Sequence, residues 1–132
     1  MKAFTDRDQS KRLEKILPPE SADGHYWKSG WEKYNLGVGH SKEWQEGYEV
    51  KKMVYIPCWS QTALYNILPV VIGNILEKNA LRLRMDKGET DFNVWYDNLD
   101  TGCAEEGLDV VESNPVDAYY EMIIKLHERN LI

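Results

Sequence analysis

The side chains that could carry chemistry here are two cysteines, three histidines, a dense set of carboxylates and a cluster of tryptophans and tyrosines. Cys58 stands in Pro57-Cys58-Trp59-Ser60, just ahead of a stretch that reads as a helix, and the start of a helix can lower a thiol pKa. Served by His25 or His40, such a thiol would be a nucleophile. The competing reading is a small buried hydrophobe beside Trp59, the commoner fate of a free cysteine, and it is preferred. Cys103 follows Gly102 and precedes an acidic run that disfavours a thiolate. His25, His40 and His127 show neither HExxH nor CxxC-type spacing, so no metal site is expected. Gly37-Val38-Gly39 is not part of a GxGxxG or P-loop fingerprint, and no GxSxG elbow is present. No catalytic residue and no cofactor are therefore assigned.

Two clusters remain as contact surfaces. Tyr26, Trp27, Trp31, Tyr34 and Trp44 crowd a glycine-punctuated segment, and exposed rings of this kind make strong anchors for a partner. The plainer alternative is that they plug the segment onto a sheet. Asp97, Asp100, Glu105 and Glu106 lie in a second, acidic segment. Counted from Asp97, the third and twelfth positions are Leu99 and Leu108, so the segment is not an EF-hand loop. These carboxylates could attract a basic partner, or simply face water.

The elements that must position these residues follow from periodicity and punctuation. Thr5 to Leu17 reads as a helix capped by Thr5, with Leu13, Ile16 and Leu17 on one stripe and Pro18-Pro19 as the stop. Its charged face, with Arg7, Lys11 and Arg12, reads as a solvated exterior. Glu20 to Gly47 shows no period and is expected to be a long ordered loop with short pieces of structure. Tyr48 to Ile56 alternates as a strand ended by Pro57, and Ser60 caps a short helix through Leu68. Val70 to Glu77 is open between helix and strand. Ala80 to Met85 and Phe92 to Tyr96 alternate cleanly around Asp86-Lys87-Gly88-Glu89, which predicts an antiparallel hairpin. An acidic loop over Asp97 to Gly107 is expected next, then a third strand near Leu108 to Val111. Asn114-Pro115 opens a final helix with Val116, Tyr119, Tyr120, Ile123 and Leu126 on its apolar stripe.

The 132 residues, 42% hydrophobic and 29% charged, suit one domain with its own core. The fold class expected is α+β: a small antiparallel sheet of about three or four strands, flanked by N- and C-terminal helices and a short central helix. The net charge of −6 is unevenly spread. Between Asp86 and Glu121 eleven acids face Lys87 alone, a balance of −10, and the rest of the chain carries +4. The acidic half opposes direct binding to nucleic acid, which demands cations against phosphates. No apolar run approaches the roughly 20 residues of a membrane span. Met1 to Arg12 lacks the apolar stretch of a signal peptide, so a cytoplasmic location is expected.

Three stretches together carry a resemblance: Thr5–Trp27 (TDRDQSKRLEKILPPESADGHYW), Ile56–Pro69 (IPCWSQTALYNILP) and Asn114–Ile132 (NPVDAYYEMIIKLHERNLI). In that order they resemble a family of small uncharacterised proteins encoded by Bacteroides-type gut bacteria and their phages or mobile elements. The likeness covers the two ends and the centre, and leaves out the aromatic segment and the acidic hairpin region. It implies a bacterial or phage cytoplasmic origin and brings no activity or site residue with it. The resulting expectation is a non-enzymatic, protein-binding accessory module that uses the aromatic segment. Its alternatives are an acidic inhibitor that mimics nucleic acid, and a small enzyme built on Cys58.

Overall fold

The computed structural model describes residues 2–29, 33–39 and 53–132. Trp31, Trp44, His40 and the first half of the strand expected from Tyr48 lie outside these residues. The chain forms two compact units, Lys2–Ala63 and Leu64–Ile132. The α+β class, the terminal helices and the short central helix are as the sequence predicts, and the strands are divided between two antiparallel sheets, one of three strands and one of four.

In the first unit, helix α1 (Arg7–Leu13) is shorter than its apolar stripe predicts and starts two residues later. Asp6, not Thr5, is the cap: its carboxylate accepts from the Gln9 N–H at 2.8 Å, and the Gln9 side chain answers by accepting from the Asp6 N–H at 3.0 Å. This reciprocal box satisfies two donors that a helix start otherwise leaves open. Thr5 is instead fully buried, its hydroxyl accepting from the Trp59 N–H and sharing a hydrogen bond with Ser10. A 3-10 turn (Pro19–Ser21) leads into β1 (Gly24–Ser29), β2 (Asn35–Val38) and β3 (Met53–Cys58), ordered β2-β1-β3.

Two expectations are corrected here. The aromatic segment is not one long loop, because β1 and β2 are both drawn from it and pair from Gly24↔Val38 to Trp27↔Asn35. Pro57 does not end its strand but sits inside β3, opposite His25. Among the described residues β3 is an edge strand, where a missing N–H is tolerated. Trp59 is fully buried, and its indole N–H donates to Ser21 Oγ at 2.9 Å, which removes the penalty of burying that polar edge. Ser60 Oγ accepts from Ala63 N–H at the start of α2 (Gln61–Ile67), as its N-cap role predicts.

The second unit is a meander of β4 (Val71–Ile72), β5 (Leu81–Lys87), β6 (Phe92–Asn98) and β7 (Ala104–Glu112), with α3 (Pro115–Glu128) packed against β6 and β7. The hairpin between β5 and β6 closes as Lys87↔Phe92. Alternation then sends Leu81, Leu83, Phe92, Val94 and Tyr96 into the core, with Leu108 and Val110 from β7. Asn114 caps α3 by accepting from Asp117 N–H at 2.9 Å, and Pro115 follows at the first helical position. The predicted stripe is buried throughout, and Ala118, Met122 and Ile124 extend it. Each large side chain of this kind contributes roughly 1.5 to 3 kcal/mol on burial.

Strand β7 begins four residues before the expected Leu108. The segment expected as an acidic loop is therefore mostly strand: Asp97 lies in β6 and Glu105 and Glu106 in β7. Charged residues are tolerated there because alternate positions face away from the core. A register shift between Trp95 and Asp97, with Gly107 at φ +81°, absorbs the extra residues in β7.

Candidate functional site

Within the first unit, the two faces of the sheet have different fates. Register places Gly24, Tyr26 and Lys28 of β1 on one face with Leu36 and Val38 of β2 and Ile56 and Cys58 of β3. His25 and Trp27 project from the other, with Gly37, Asn35, Tyr55 and Pro57. The capping box sets Arg7 at the first position of α1, and the Tyr26 hydroxyl donates to the Thr5 carbonyl at 2.7 Å. That bond ties β1 to the segment entering the helix.

The result is an open hollow of about 580 Å³ lined by Arg7, Tyr26, Lys28, Lys33, Tyr34 and Leu36. The Arg7 guanidinium lies 4.6 Å from the centre of the Tyr34 ring, and the Lys28 ammonium 4.7 Å from it. Cations at this distance are attracted to the ring quadrupole, typically by about 0.5 to 1 kcal/mol at exposed sites. Among the described residues, none of Arg7, Lys28 and Lys33 forms an ion pair, and no carboxylate lines the hollow. Asp6, the cap residue before α1, is held by Lys2 at 3.3 Å as well as by the helix cap. Burial, then the neighbouring Cys58 and Asp6, raise the pKa of Tyr26, which keeps its phenol a neutral donor.

No family model matches the sequence, and comparison with curated proteins and with solved structures finds no match. The reading of the site therefore rests on its geometry.

The expected aromatic cluster is split. Tyr26 and Tyr34 meet in the hollow, Trp27 belongs to the opposite face, and Trp31 and Trp44 lie outside the described residues. The cations Arg7, Lys28 and Lys33, and the half-exposed Leu36, join the site only through the fold. In sequence Arg7 reads as part of a solvated helix face. The available signal was the +4 balance outside the acidic stretch, which becomes a site only when three distant positions are brought together.

The four acidic candidates are not one cluster of equivalent groups. Asp97 accepts from the Trp95 indole N–H at 2.8 Å and from Arg84 Nε at 3.3 Å. The Asp100 carboxylate accepts from the backbone N–H of Asn79, a residue at φ +66°. Glu105 and Glu106 follow in β7, where the Glu106 carbonyl accepts from the Arg129 guanidinium. Two of the four carboxylates are thus engaged in holding strands and turns.

Cys58 and His25 do not form a nucleophile–base pair. Cys58 shares its face with Gly24, and His25 projects from the opposite side of the same sheet. Cys58 is fully buried, and burial, with a smaller contribution from Asp23, pushes its thiol up to about 12. The His25 ring is also fully buried, with Nδ1 3.2 Å from the Gly39 carbonyl. A carbonyl only accepts, so Nδ1 carries the proton in that bond. Among the described residues no group of three or more His, Cys, Asp and Glu side chains is arranged to hold a metal ion. No helix among them is long and apolar enough to cross a membrane.

Proposed function

We propose that this protein is a non-enzymatic binding module that recognises an acidic segment of a protein partner in the hollow between α1, β1 and the start of β2. The observation that carries this reading is the convergence of Arg7, Lys28 and Lys33 around Tyr34, with no carboxylate among the described residues of the lining. In a chain of net charge −6, three gathered cations repel one another and also stand against the sign of the whole. A bound anion relieves that repulsion. Tyr26, Tyr34 and Leu36 add an apolar wall on which the stem of an acidic side chain can lie, as is usual in recognition pockets.

The test is fluorescence anisotropy with a labelled octaglutamate peptide, against a Gly-Ser peptide of equal length. The octaglutamate is expected to bind, and to bind more weakly as salt rises, since exposed charges are screened over about 8 to 10 Å near physiological ionic strength. Arg7→Ala with Lys28→Ala should weaken it about tenfold, taking roughly 0.2 to 1 kcal/mol for each exposed charge pair. Binding that is indifferent to both substitutions would exclude the hollow as the recognition surface.

A further inference from the structure

We infer that the group this hollow accepts is a phosphate monoester, carried on the side chain of a partner segment; the inference rests on the acidic-segment reading above and narrows it. The cations come from three separate places in the chain: the first turn of α1, the C-terminal end of β1, and the residue before Tyr34 at the entry to β2. A carboxylate offers one charge and two oxygens, which a single arginine fork satisfies. Three independent cations exceed that demand. A phosphate monoester offers nearly two negative charges and three strong acceptor oxygens, one for each donor group.

The geometry around Tyr34 argues the same way. Arg7 and Lys28 both rest against its ring, at 4.6 and 4.7 Å, so the ring holds two like charges near one another. A dianion beside the ring can draw on both charges. The volume points to a carrier as well as a phosphate. At about 580 Å³ the hollow is many times the roughly 30 Å³ share of a water molecule. Its remaining wall is Tyr26 and Leu36, and Leu36 is 51% exposed although it lies in a strand. Apolar surface beside a cationic floor fits a ring or short aliphatic stem that ends in phosphate. Phosphotyrosine on an extended segment satisfies both requirements.

Four probes separate the outcomes: a Gly-Ser peptide bearing one phosphotyrosine, the same peptide with tyrosine, the same with glutamate, and inorganic phosphate as competitor. Affinity is read by anisotropy, and the surface is mapped by amide chemical-shift changes in the full chain. The phosphopeptide is expected to bind about tenfold more tightly than the glutamate peptide, as charge-assisted hydrogen bonds to a dianion add to the contact. The largest shifts should fall at Lys28, Lys33, Tyr34 and Leu36. Arg7→Ala should weaken the phosphopeptide about tenfold, and Arg7→Lys should recover only part of this because the planar fork is lost. Lys33→Ala, at an exposed position outside regular structure, serves as a second variant should Arg7→Ala disturb the start of α1.

Equal binding of the glutamate and phosphotyrosine peptides would overturn the phosphate assignment and leave the acidic-segment reading in place. No binding of either, and none of octaglutamate, would overturn both. Inorganic phosphate that binds as tightly as the phosphopeptide would overturn the partner segment as its source. Phosphopeptide binding with shifts confined to other parts of the chain would overturn the site.

Discussion

Gly37 tests the packing that sets β1 against β2, and with it the placement of Tyr26 opposite Leu36. Register puts Gly37 directly across from His25, and the imidazole lies over the glycine backbone. A Cβ at position 37 would overlap Nε2 and come within 2.6 Å of Cε1 and 3.1 Å of Cδ2. His25 is fully buried, so the ring cannot swing into solvent, and it is also held through Nδ1 to the Gly39 carbonyl. Overpacking of this kind costs about 1 to 3 kcal/mol, and loss of the hydrogen bond a further 0.5 to 1.5 kcal/mol or so. Gly37→Ala should therefore destabilise the protein by about 2 to 4 kcal/mol. In urea, with a slope of about 2 kcal/mol per molar, the midpoint should fall by roughly 1 to 2 M. Tryptophan fluorescence reads the transition. The same substitution in a His25→Ala background should cost under about 1 kcal/mol, because the obstacle is gone. An equal cost in both backgrounds, or a cost below about 0.5 kcal/mol in the first, would refute the steric account.

Gly107, at φ +81°, combines an unfavourable conformation for any other residue with a Cβ position occupied by the Arg129 guanidinium. Gly107→Ala should cost about 2 to 4 kcal/mol by thermal or urea unfolding, and Arg129→Ala should relieve the steric part and leave a backbone cost of about 1 to 2 kcal/mol. The buried Cys58 thiol binds its proton more tightly in the folded state, up to about 12, than in the unfolded chain, near 8.5. Its contribution to stability is thus intact below about pH 8.5 and is lost as pH rises toward 12, by at most roughly 1.4 kcal/mol per pH unit. The difference between wild-type and Cys58→Ala unfolding curves across that window isolates this effect, and a difference that does not change with pH would contradict it. At pH 7.5 iodoacetamide should modify the exposed Cys103 and spare Cys58 until the chain is unfolded, which mass spectrometry of the two tryptic peptides will show. Asn114→Ala removes the acceptor for Asp117 N–H and should cost about 1 kcal/mol, whereas Asn114→Ser should cost little.

Local chemistry made much of this protein legible in its sequence. Asn114-Pro115 and the stripe through Leu126 predict α3 because a cap, a first-position proline and a 3.6-residue period all act within one helix. Alternation in Leu81–Met85 and Phe92–Tyr96 predicts the β5–β6 hairpin for the same reason, since a half-buried strand records its two faces in order. The cap of α1 falls one residue after the Thr5 that the sequence suggests, because Thr5 and Asp6 are both good caps. Only tertiary contact with Trp59 and Ser10 draws Thr5 inward and leaves the cap to Asp6.

What the sequence determined by itself was the α+β class, the terminal and central helices, the β5–β6 pairing and the uneven spread of charge. Tertiary structure decided the partition of the strands into two sheets, the reading of Asp97, Glu105 and Glu106 as strand residues, and the separation of Cys58 from His25 by one sheet. It also decided the candidate site. Arg7, Lys28 and Lys33 carry no shared spacing, and each alone reads as an ordinary solvated charge. They become one cationic hollow because sheet register and a helix cap bring positions 7, 28 and 33 to a common face around Tyr34. Local rules act over a few residues, whereas the electrostatics of a pocket depend on distance in space.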